Sequence, residues 1–344
     1  MQTLTPPPVR RDTPAPLRRA ALRALRIPVY VSVAIVLSVV QTYISHSEQT
    51  QKTSEPAVTA ATAGTSADFK LGQEMTELSR QVKAMSVKPN LRVGLLCVDP
   101  QTGAYANLDS RKAFCAASTI KLPVFLALLM ALDEKKVKLD QPLKVNPEYV
   151  GGGSGFLQWQ SLGTKVTVKQ TAELMMTVSD NTATNMIIDV LGGKQAVNKT
   201  LIKAGLTQTR INNMLPDLGG TNKISPYDLA MIMARVERGQ LISPASREWM
   251  FSVMERCHTN TLLPAGLPPG CRVFHKTGDI AAVVGDAGIV QGPDGKRYAV
   301  AIQVERPWND RRANALIRDL SKTVYEGMTG QKVESQPGSH PQQP

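Results

Sequence analysis

Residues 118–132 read STIKLPVFLALLMAL, and the fold predicted for this 344-residue chain is built around this stretch. The apolar run predicts a buried helix, and Pro123 fixes where it begins, because proline is tolerated only near a helix start. Ser118 therefore lies at the helix N-terminus, with Lys121 one turn later on the same face. The free N–H groups of a helix N-terminus carry a partial positive charge.

The pairing of Ser118 with Lys121 predicts a nucleophile and its general base. A lysine buried beside a serine loses its proton near neutral pH, because desolvation disfavours the ammonium form. The N–H groups at the helix start are suited to hold an oxyanion. Taken alone, Ser-x-x-Lys arises by chance about once in a chain of this length, and a capping serine followed by a surface lysine is the alternative interpretation.

A second motif, Ser179-Asp180-Asn181, separates two predicted helices. These residue types most often cap helices, which is the structural alternative. In the functional interpretation Ser179 passes a proton to a departing nitrogen and Asn181 donates a hydrogen bond to an amide group of the substrate. Asp180 then holds the loop.

The third motif, Lys276-Thr277-Gly278, places a cation and a hydroxyl on a predicted strand. Its glycine allows a ligand to lie close to the backbone. A free carboxylate on the substrate is the natural partner of this motif, and an ordinary basic residue at a strand end is the alternative. All three motifs occur once and in this order, which favours the catalytic interpretation over three coincidences.

The hydrophobic periodicity predicts strands near both ends of the globular part and helices between them. We therefore expect an α/β fold with one antiparallel sheet built from both ends of the domain, packed by helices, and an inserted all-helical lobe. Ser118 then begins a helix of the lobe and Lys276 lies on or next to a strand, so the site falls in the groove between them. The predicted strands cover 91–98, 272–275, 286–290 and 298–304, with one more short strand just after the turn at 99–103. The predicted helices cover 71–85, 122–132, 168–178, 182–191, 194–204, 226–238, 244–256 and 309–328.

The first 45 residues predict a basic cytoplasmic leader followed by a membrane anchor. Residues 1–26 hold six arginines against one aspartate, and residues 27–44, IPVYVSVAIVLSVVQTYI, carry no charge. Such a segment can span a bilayer as a transmembrane helix, and the flanking arginines predict that everything downstream lies outside the cytoplasm. A cleaved signal peptide, with Ser45-His46-Ser47 as its cleavage site, is the competing interpretation. Both predict that the globular part is periplasmic or extracellular.

Composition sets the remaining boundaries. Residues 46–67 are rich in Ser, Thr and Ala and predict a disordered linker, residues 330–344 predict a disordered tail, and the globular domain is expected at 68–329. Apolar residues make up 42% of the chain and charged residues 20%, which is ordinary for a globular enzyme. The net charge is +12, but no basic run interleaved with aromatic residues follows the leader, so nucleic-acid binding is not predicted.

With these motifs in order, the chain resembles the class A β-lactamase family of serine penicillin-recognising enzymes. The resemblance covers nearly all of 68–329 and includes Phe114, the small residues before Ser118, Gly153-Ser154-Gly155 and the final helix. It implies the β-lactamase/transpeptidase-like fold and no metal or cofactor. It also implies a hydrolase in which Ser118 attacks a β-lactam or a D-Ala-D-Ala-like peptide and forms an acyl-enzyme.

The resemblance further implies how the substrate is held. The backbone N–H groups of Ser118 and Asp279 are expected to form the oxyanion hole, and Lys276 and Thr277 to hold the substrate carboxylate. Gly278 allows the substrate to lie close to the backbone of the strand. Ser179, as the proton donor, and Asn181, as the hydrogen-bond donor to the substrate amide, are the remaining site residues.

One departure from the family pattern bears on turnover. The family activates the deacylating water with a glutamate. Here the corresponding stretch, residues 211–218, reads INNMLPDL, and its one acidic residue is Asp217. We therefore expect the ester to accumulate, because general-base assistance is worth about 10²- to 10⁴-fold. Three hypotheses stay open: a β-lactamase with slow deacylation, a D,D-peptidase or transpeptidase on cell-wall peptides, and a membrane-tethered penicillin-binding sensor that does not turn over.

The four cysteines predict one disulfide. Cys257 and Cys271 flank a polar loop and are expected to pair in an exported domain. Cys97 and Cys115 are not assigned. A zinc site from Cys257, Cys271 and the neighbouring histidines is disfavoured, because the spacing fits no common zinc motif.

Overall fold

A computed structural model describes residues 69–333 of the chain. The predicted leader and anchor at 1–45, the predicted linker at 46–67 and the tail beyond residue 333 lie outside the described residues, and these assignments stay predictions. Within residues 69–333, none of the helices is long and apolar enough to cross a membrane.

The centre of the fold is a five-stranded antiparallel sheet with strand order β2-β1-β9-β8-β7. β1 (Arg92–Val98) and β2 (Tyr105–Leu108) come from the N-terminal end, and β7 (Arg272–Ile280), β8 (Val283–Gln291) and β9 (Arg297–Glu305) come from the C-terminal end. β9 lies between β1 and β8, which joins the two ends of the chain. The predicted α/β fold with a sheet built from both ends is therefore confirmed.

Two helices cover one face of this sheet. These are α1 (Thr76–Met85) and α8 (Arg312–Thr329), which pack against each other. Alternate residues of the strands point into this layer, as expected for a sheet buried on both faces. The core on this face includes Leu78, Val82, Val93, Leu95, Val300, Ile302, Val304, Leu316, Leu320 and Val324.

The first helix begins later than its periodicity predicts. Leu71 and Met75 share a spacing with the helix face, but residues 71–75 are extended. The Gly72 N–H donates to Gly103 O at 2.9 Å and the Met75 N–H donates to Tyr105 O at 2.7 Å, so backbone pairing takes this segment away from the helix.

The helical lobe lies on the other side of the sheet around α2 (Lys121–Asp133), in which ten of thirteen residues are buried. Helix α2 is apolar all round because other helices contact it on several sides. Two later helices of the described chain, α6 (Pro226–Glu237) and α7 (Pro244–Glu255), pack directly against the sheet. The remaining helices of the lobe are α3 (Val168–Thr177), α4 (Asn181–Val190) and α5 (Gly193–Lys203).

Two small antiparallel pairs complete the fold. β3 (Phe114–Cys115) pairs with β6 (Lys223–Ile224), and β4 (Pro142–Lys144) pairs with β5 (Lys165–Thr167). The first pair immediately precedes Ser118, and the Ala116 N–H extends it by donating to Asn222 O at 2.9 Å. The segment before Ser118 is therefore held by backbone pairing with residues 222–224.

The predicted Cys257–Cys271 disulfide is wrong, because all four cysteines are free thiols. The Cys257 thiol lies at the end of α7 next to His275, whereas the Cys271 thiol faces Tyr325 of α8. The zinc alternative also finds no support, since no group of three or more His, Cys, Asp or Glu side chains within 69–333 is placed to hold a metal ion.

Candidate active site

Ser118 lies in a short 3₁₀ turn, Ala117–Ile120, which we call the nucleophile turn and which leads directly into α2. Ala117 has φ +44°, a left-handed conformation that costs a non-glycine residue free energy and persists only where the surroundings enforce it. Thr119 supports the turn from within, because its N–H and its Oγ1 both donate to Ala116 O, at 3.2 and 2.5 Å. Ser118 itself is partly exposed.

The Lys121 amine joins the first two sequence motifs. Its Nζ lies 3.1 Å from Ser118 Oγ and 3.0 Å from Ser179 Oγ. It also donates to Ser179 O at 2.6 Å and to Asn181 Oδ1 at 2.8 Å. These contacts bring four of the predicted site residues together around one nitrogen.

Burial lowers the pKa of Lys121 well below its ordinary value. The positive charge of Lys276 adds to this decrease, and the carboxylate of Asp180 only partly opposes it. An ammonium has three N–H donors and no lone pair, so the loss of one proton leaves two donors and one lone pair. The two carbonyl oxygens, of Ser179 and Asn181, accept from the two donors, and the lone pair then faces the serine hydroxyls.

The loop between α3 and α4 presents Ser179. This residue has φ +60° and is partly exposed, whereas Asp180 is buried and caps α4. The Asp180 carboxylate accepts from the N–H groups of Ala183, Phe156 and Leu157 at 2.8, 2.6 and 2.8 Å. Burial raises the pKa of Asp180 against these hydrogen bonds and against the charge of Lys121. Asp180 thus fixes the loop without facing the nucleophile.

The glycine-rich segment at 151–155 packs on the same loop. A Cβ at Gly155, which has φ +97°, would lie 2.2 Å from Asp180 Cγ. Ser154 O accepts from the Asn181 N–H at 3.0 Å, and Gly152 O accepts from Asn181 Nδ2 at 2.8 Å. The Asn181 amide therefore connects the Lys121 amine to the glycine-rich segment, a role that its sequence motif does not indicate.

The third motif lies on β7, which is an edge strand and is longer than predicted, so that it includes all of Lys276-Thr277-Gly278. A Cβ at Gly278 would lie 2.8 Å from Ser118 N and 2.7 Å from Thr119 N. The strand thus packs directly against the nucleophile turn. This close approach brings the backbone at Gly278 and Asp279 beside the Ser118 N–H.

The Asp279 side chain is half exposed and forms an ion pair with Arg306, which is buried. Arg306 also donates to Ile280 O at 3.3 Å and to Asn314 Oδ1 at 2.8 Å. The Asp279 side chain is therefore engaged by Arg306. Arg306 was not singled out in the sequence, because it follows the last strand without any motif.

Lys276 and Thr277 are buried on β7, and Lys276 Nζ donates to Thr277 O at 2.7 Å. Burial lowers the pKa of Lys276, and the Asp286 carboxylate only partly opposes the decrease. Asp286 lies opposite Thr277 in the β7–β8 register.

A fully buried ion pair lies behind this strand. His275 Nδ1 is 2.9 Å from Asp286 Oδ1, and its Nε2 is 3.2 Å from Asn260 Oδ1. Burial alone lowers the pKa of His275, but Asp286, together with a hydrogen bond to Cys257, more than offsets this and raises it to about 10. Two acceptors facing two ring nitrogens also fit the doubly protonated ring.

The stretch 211–218 reaches the site at Leu215, which precedes a cis peptide bond to Pro216. The Leu215 N–H donates to Asn185 Oδ1 at 2.8 Å, and Leu215 O accepts from Asn185 Nδ2 at 2.7 Å. Asn185 is one turn beyond Asn181 on α4, so the Leu215 backbone is held on the same helix that presents Asn181.

Asp217, the one carboxylate of this stretch, is already engaged. Its Oδ1 accepts from Thr221 Oγ1 at 2.8 Å and its Oδ2 accepts from the Asn222 N–H at 2.6 Å. Both oxygens thus stabilise their own loop. The geometry gives Asp217 no place beside the Ser118 ester.

Comparisons with known proteins agree with this geometry. The model of the β-lactamase enzyme family matches residues 77–328. β-Lactamase ROB-1 of Haemophilus influenzae is 26% identical over 284 residues, which cover 80% of this chain and 88% of that protein. The structure of PBP-A has 44% sequence identity and a TM-score of 0.74 and covers 76% of this chain and 99% of that one. A PBP-A variant with one leucine replaced by glutamate, solved as an acyl-enzyme complex with penicillin G, has the same identity and TM-score and covers 76% of this chain and 100% of that one.

The fold, the order of the three motifs and these matches lead to one conclusion. The chain belongs to the β-lactamase enzyme family, within its class A β-lactamase-like group.

Proposed function

We propose that this protein is a penicillin-binding serine enzyme whose Ser118 is acylated rapidly by β-lactams and whose ester is hydrolysed slowly. One observation carries this proposal. The Lys121 amine touches both Ser118 and Ser179, while the stretch 211–218, where the family pattern has its glutamate, offers only Asp217 as a carboxylate, and both oxygens of Asp217 are bound within their own loop.

Acylation follows from the contacts around Lys121. The neutral amine takes the proton of Ser118, whose oxygen attacks the β-lactam carbonyl. The backbone N–H groups of Ser118 and Asp279 stabilise the oxyanion. As the C–N bond breaks, the proton passes from Lys121 through the Ser179 hydroxyl to the departing nitrogen. Every group in this path lies within 3.1 Å of its neighbour before the substrate arrives.

The substrate carboxylate is held by Lys276 and Thr277 of β7. Lys276 is buried and therefore poorly hydrated, which strengthens its attraction for an anion. The Asp286 carboxylate on β8 favours its ammonium form and partly opposes the effect of burial. This arrangement selects ligands with a carboxylate at a fixed distance from a reactive carbonyl, a feature of both β-lactams and peptides with a free C-terminus.

Deacylation by water is slow in this proposal, because the side chain of Leu215 has no proton acceptor and Asp217 is engaged in its own loop. The similarity to PBP-A at 44% identity, against 26% for the β-lactamase ROB-1, supports a penicillin-binding protein. The acyl-enzyme complex of the PBP-A variant with penicillin G supports the same chemistry at Ser118.

A second candidate activity is D,D-peptidase or transpeptidase action on cell-wall peptides. The Lys276 and Thr277 pair that holds a β-lactam carboxylate suits the C-terminal carboxylate of such a peptide equally well. An amine acceptor brings its own lone pair to the ester, so it needs less general-base help than water. This activity requires a catalytic domain outside the cytoplasm, which is also what the sequence of 27–44 predicts.

The test is covalent labelling with a fluorescent penicillin. We expect stoichiometric labelling of the wild type, none for Ser118→Ala, and wild-type labelling for Ser252→Ala, a matched control on the exposed surface of α7. A coloured cephalosporin should then show one rapid turnover followed by a slow phase. Labelling of the Ser118→Ala variant, or fast continuous colour release by the wild type, contradicts the proposal. Release of D-Ala from a D-Ala-D-Ala peptide favours the second candidate.

A further inference from the structure

Four residues form one row across the sheet, on the face that carries the nucleophile turn. The register pairs Gly94 with Gln303, Gln303 with Gly285, and Gly285 with Gly278. Three of the four are glycines, so Gln303 on β9 contributes the only side chain to this row. It is completely buried.

The glycines of the row leave space for the nucleophile turn and for the Gln303 amide. A Cβ at Gly278 would lie 2.8 Å from Ser118 N. A Cβ at Gly285 would lie 2.1 Å from Gln303 Oε1 and 2.3 Å from Gln303 Nε2. The amide of Gln303 therefore lies flat over Gly285, between the sheet and the turn that carries Ser118.

Gln303 contacts the residue next to the nucleophile. Its Nε2 donates to Thr119 Oγ1 at 3.3 Å. The hydroxyl proton of Thr119 is already donated to Ala116 O at 2.5 Å, so the Thr119 oxygen acts as the acceptor and the amide orientation is determined. Gln303 Oε1 has no hydrogen-bond donor among residues 69–333.

A buried acceptor without a partner destabilises a folded protein. Gln303 is therefore a poor choice for stability, since an apolar side chain of the same length would fill the same space without this cost. Its amide does, however, fix the turn in which Ala117 is held at φ +44°. Such a conformation persists only where several contacts enforce it.

The geometry points to Gln303 as a positioning residue for the reaction at Ser118. Through Thr119, its amide holds the nucleophile turn so that the Ser118 hydroxyl meets the Lys121 amine and the Ser118 N–H faces the oxyanion. This inference rests on the proposed acylation of Ser118, and it assigns no contact between Gln303 and the substrate. A displacement of the turn by a fraction of an ångström is enough to slow acylation, because the reacting atoms need close alignment.

Stopped-flow acylation by a fluorescent penicillin tests the inference in the full-length protein. We expect Gln303→Met to lower the limiting acylation rate constant about tenfold, because the free energy of one hydrogen bond corresponds to about a tenfold change in rate. The apparent dissociation constant of the first complex should stay within about twofold, because the contacts that bind the substrate are unchanged. The thermal unfolding midpoint should be equal to or higher than that of the wild type, because the unpartnered acceptor is removed.

A double-mutant cycle locates the effect. Thr119→Val removes the acceptor and also the bond from Thr119 Oγ1 to Ala116 O, so it should slow acylation at least as much as Gln303→Met, and the double variant should be no slower than Thr119→Val alone. Gly285→Ala, which displaces the amide, should have the same effect on the rate. Ser321→Ala is the control, because it removes a buried hydrogen bond of 2.8 Å to Leu263 O on the opposite face, and its acylation rate should equal that of the wild type.

Three results overturn the inference: wild-type acylation in Gln303→Met, additive effects of the Gln303 and Thr119 substitutions, or a loss that appears only as weaker binding or a lower unfolding midpoint. A fluorophosphonate that reacts with activated serines separates this inference from the proposed function. If penicillin does not label the wild type but the fluorophosphonate labels Ser118, the proposed function fails. The Gln303→Met effect on fluorophosphonate labelling then decides the positioning role.

Discussion

At the residue scale, the chemistry depends on the protonation of Lys121. Its amine is buried among two serine hydroxyls, one backbone carbonyl and the Asn181 amide, and both burial and Lys276 lower its pKa. We expect the acylation rate to rise with pH and to level off well below the ordinary pKa of lysine, because the neutral amine is the base. A stopped-flow pH profile measures this directly. A rate that keeps rising up to the ordinary lysine pKa contradicts the assignment.

Substitution of the base itself gives a complementary prediction. Lys121→Met should lower the acylation rate about 10²- to 10⁴-fold, the range attributed to a general base. Methionine matches the volume and avoids burying an unpaired charge, so folding should be retained, as checked by circular dichroism. Acylation within tenfold of the wild-type rate requires a different base.

Leu215 governs the second half of the reaction. Its backbone is fixed by two hydrogen bonds to Asn185, one turn from Asn181, and it lies in the stretch where the family pattern has its glutamate, so we expect an acidic side chain at this position to act on the ester. Leu215→Glu should shorten the lifetime of the penicilloyl ester about 10²-fold. Leu215→Gln is the matched control, with the same shape and no base, and its ester should persist. Equal lifetimes in the two variants exclude this explanation of slow turnover.

At the scale of elements, β7 combines substrate binding with a buried ion pair. The pKa of His275 is about 10 in the folded protein, above its ordinary value of 6.5. This stabilisation is fully present below pH 6.5 and is lost as the pH rises through about 10, because the protonated ring is the form that Asp286 favours. Urea unfolding of the wild type and of His275→Gln between pH 6 and 10.5 should show a difference in free energy that shrinks with rising pH. A constant difference contradicts the charged pair.

Substitution of Asp286 removes the charge that favours the protonated His275 ring. In Asp286→Asn, burial favours the neutral ring, so urea unfolding between pH 6 and 10.5 should show a loss of stability relative to the wild type that is largest at pH 6 and shrinks with rising pH. A variant that keeps the wild-type pH dependence contradicts the charged pair.

The loop over α4 gives a second prediction at this scale. Gly155→Ala should lower both stability and acylation, because its Cβ would lie 2.2 Å from Asp180 Cγ and displace the residue that caps α4. Gly163→Ala is the matched control, since Gly163 has φ +85° but nothing within 4 Å of the added Cβ. The control should lose only the about 1–2 kcal/mol of a left-handed alanine and acylate normally. Equal acylation defects in both variants contradict the steric account.

At the scale of the whole molecule, the features that depend on local sequence patterns could be predicted, whereas those that depend on contacts between distant residues could not. The apolar run after Lys121 and the strand patterns at both ends were sufficient for the α/β fold, because periodicity reflects burial directly. The residues that hold the site from a distance were missed. Gln303, Asn185 and Arg306 act through partners far away in the sequence, and nothing adjacent to them indicates a function.

The cysteine error has the same origin. Cys257 and Cys271 flank one loop, but the helix before it and the strand after it turn their side chains to different layers. The disulfide was predicted because the two cysteines are close in sequence. The packing of α7 and α8 against the sheet instead directs their thiols to different neighbours, His275 and Tyr325. The start of α1 was misplaced for a similar reason, since residues 71–75 pair with the backbone near Tyr105.

The lifetime of the penicilloyl ester on Ser118 tests the central claim most directly. Intact-protein mass measurements after removal of free penicillin G should show one adduct, located on Ser118, that remains nearly stoichiometric long after acylation is complete. Recovery of the unmodified mass as fast as the ester forms, or an adduct on any residue other than Ser118, contradicts the account.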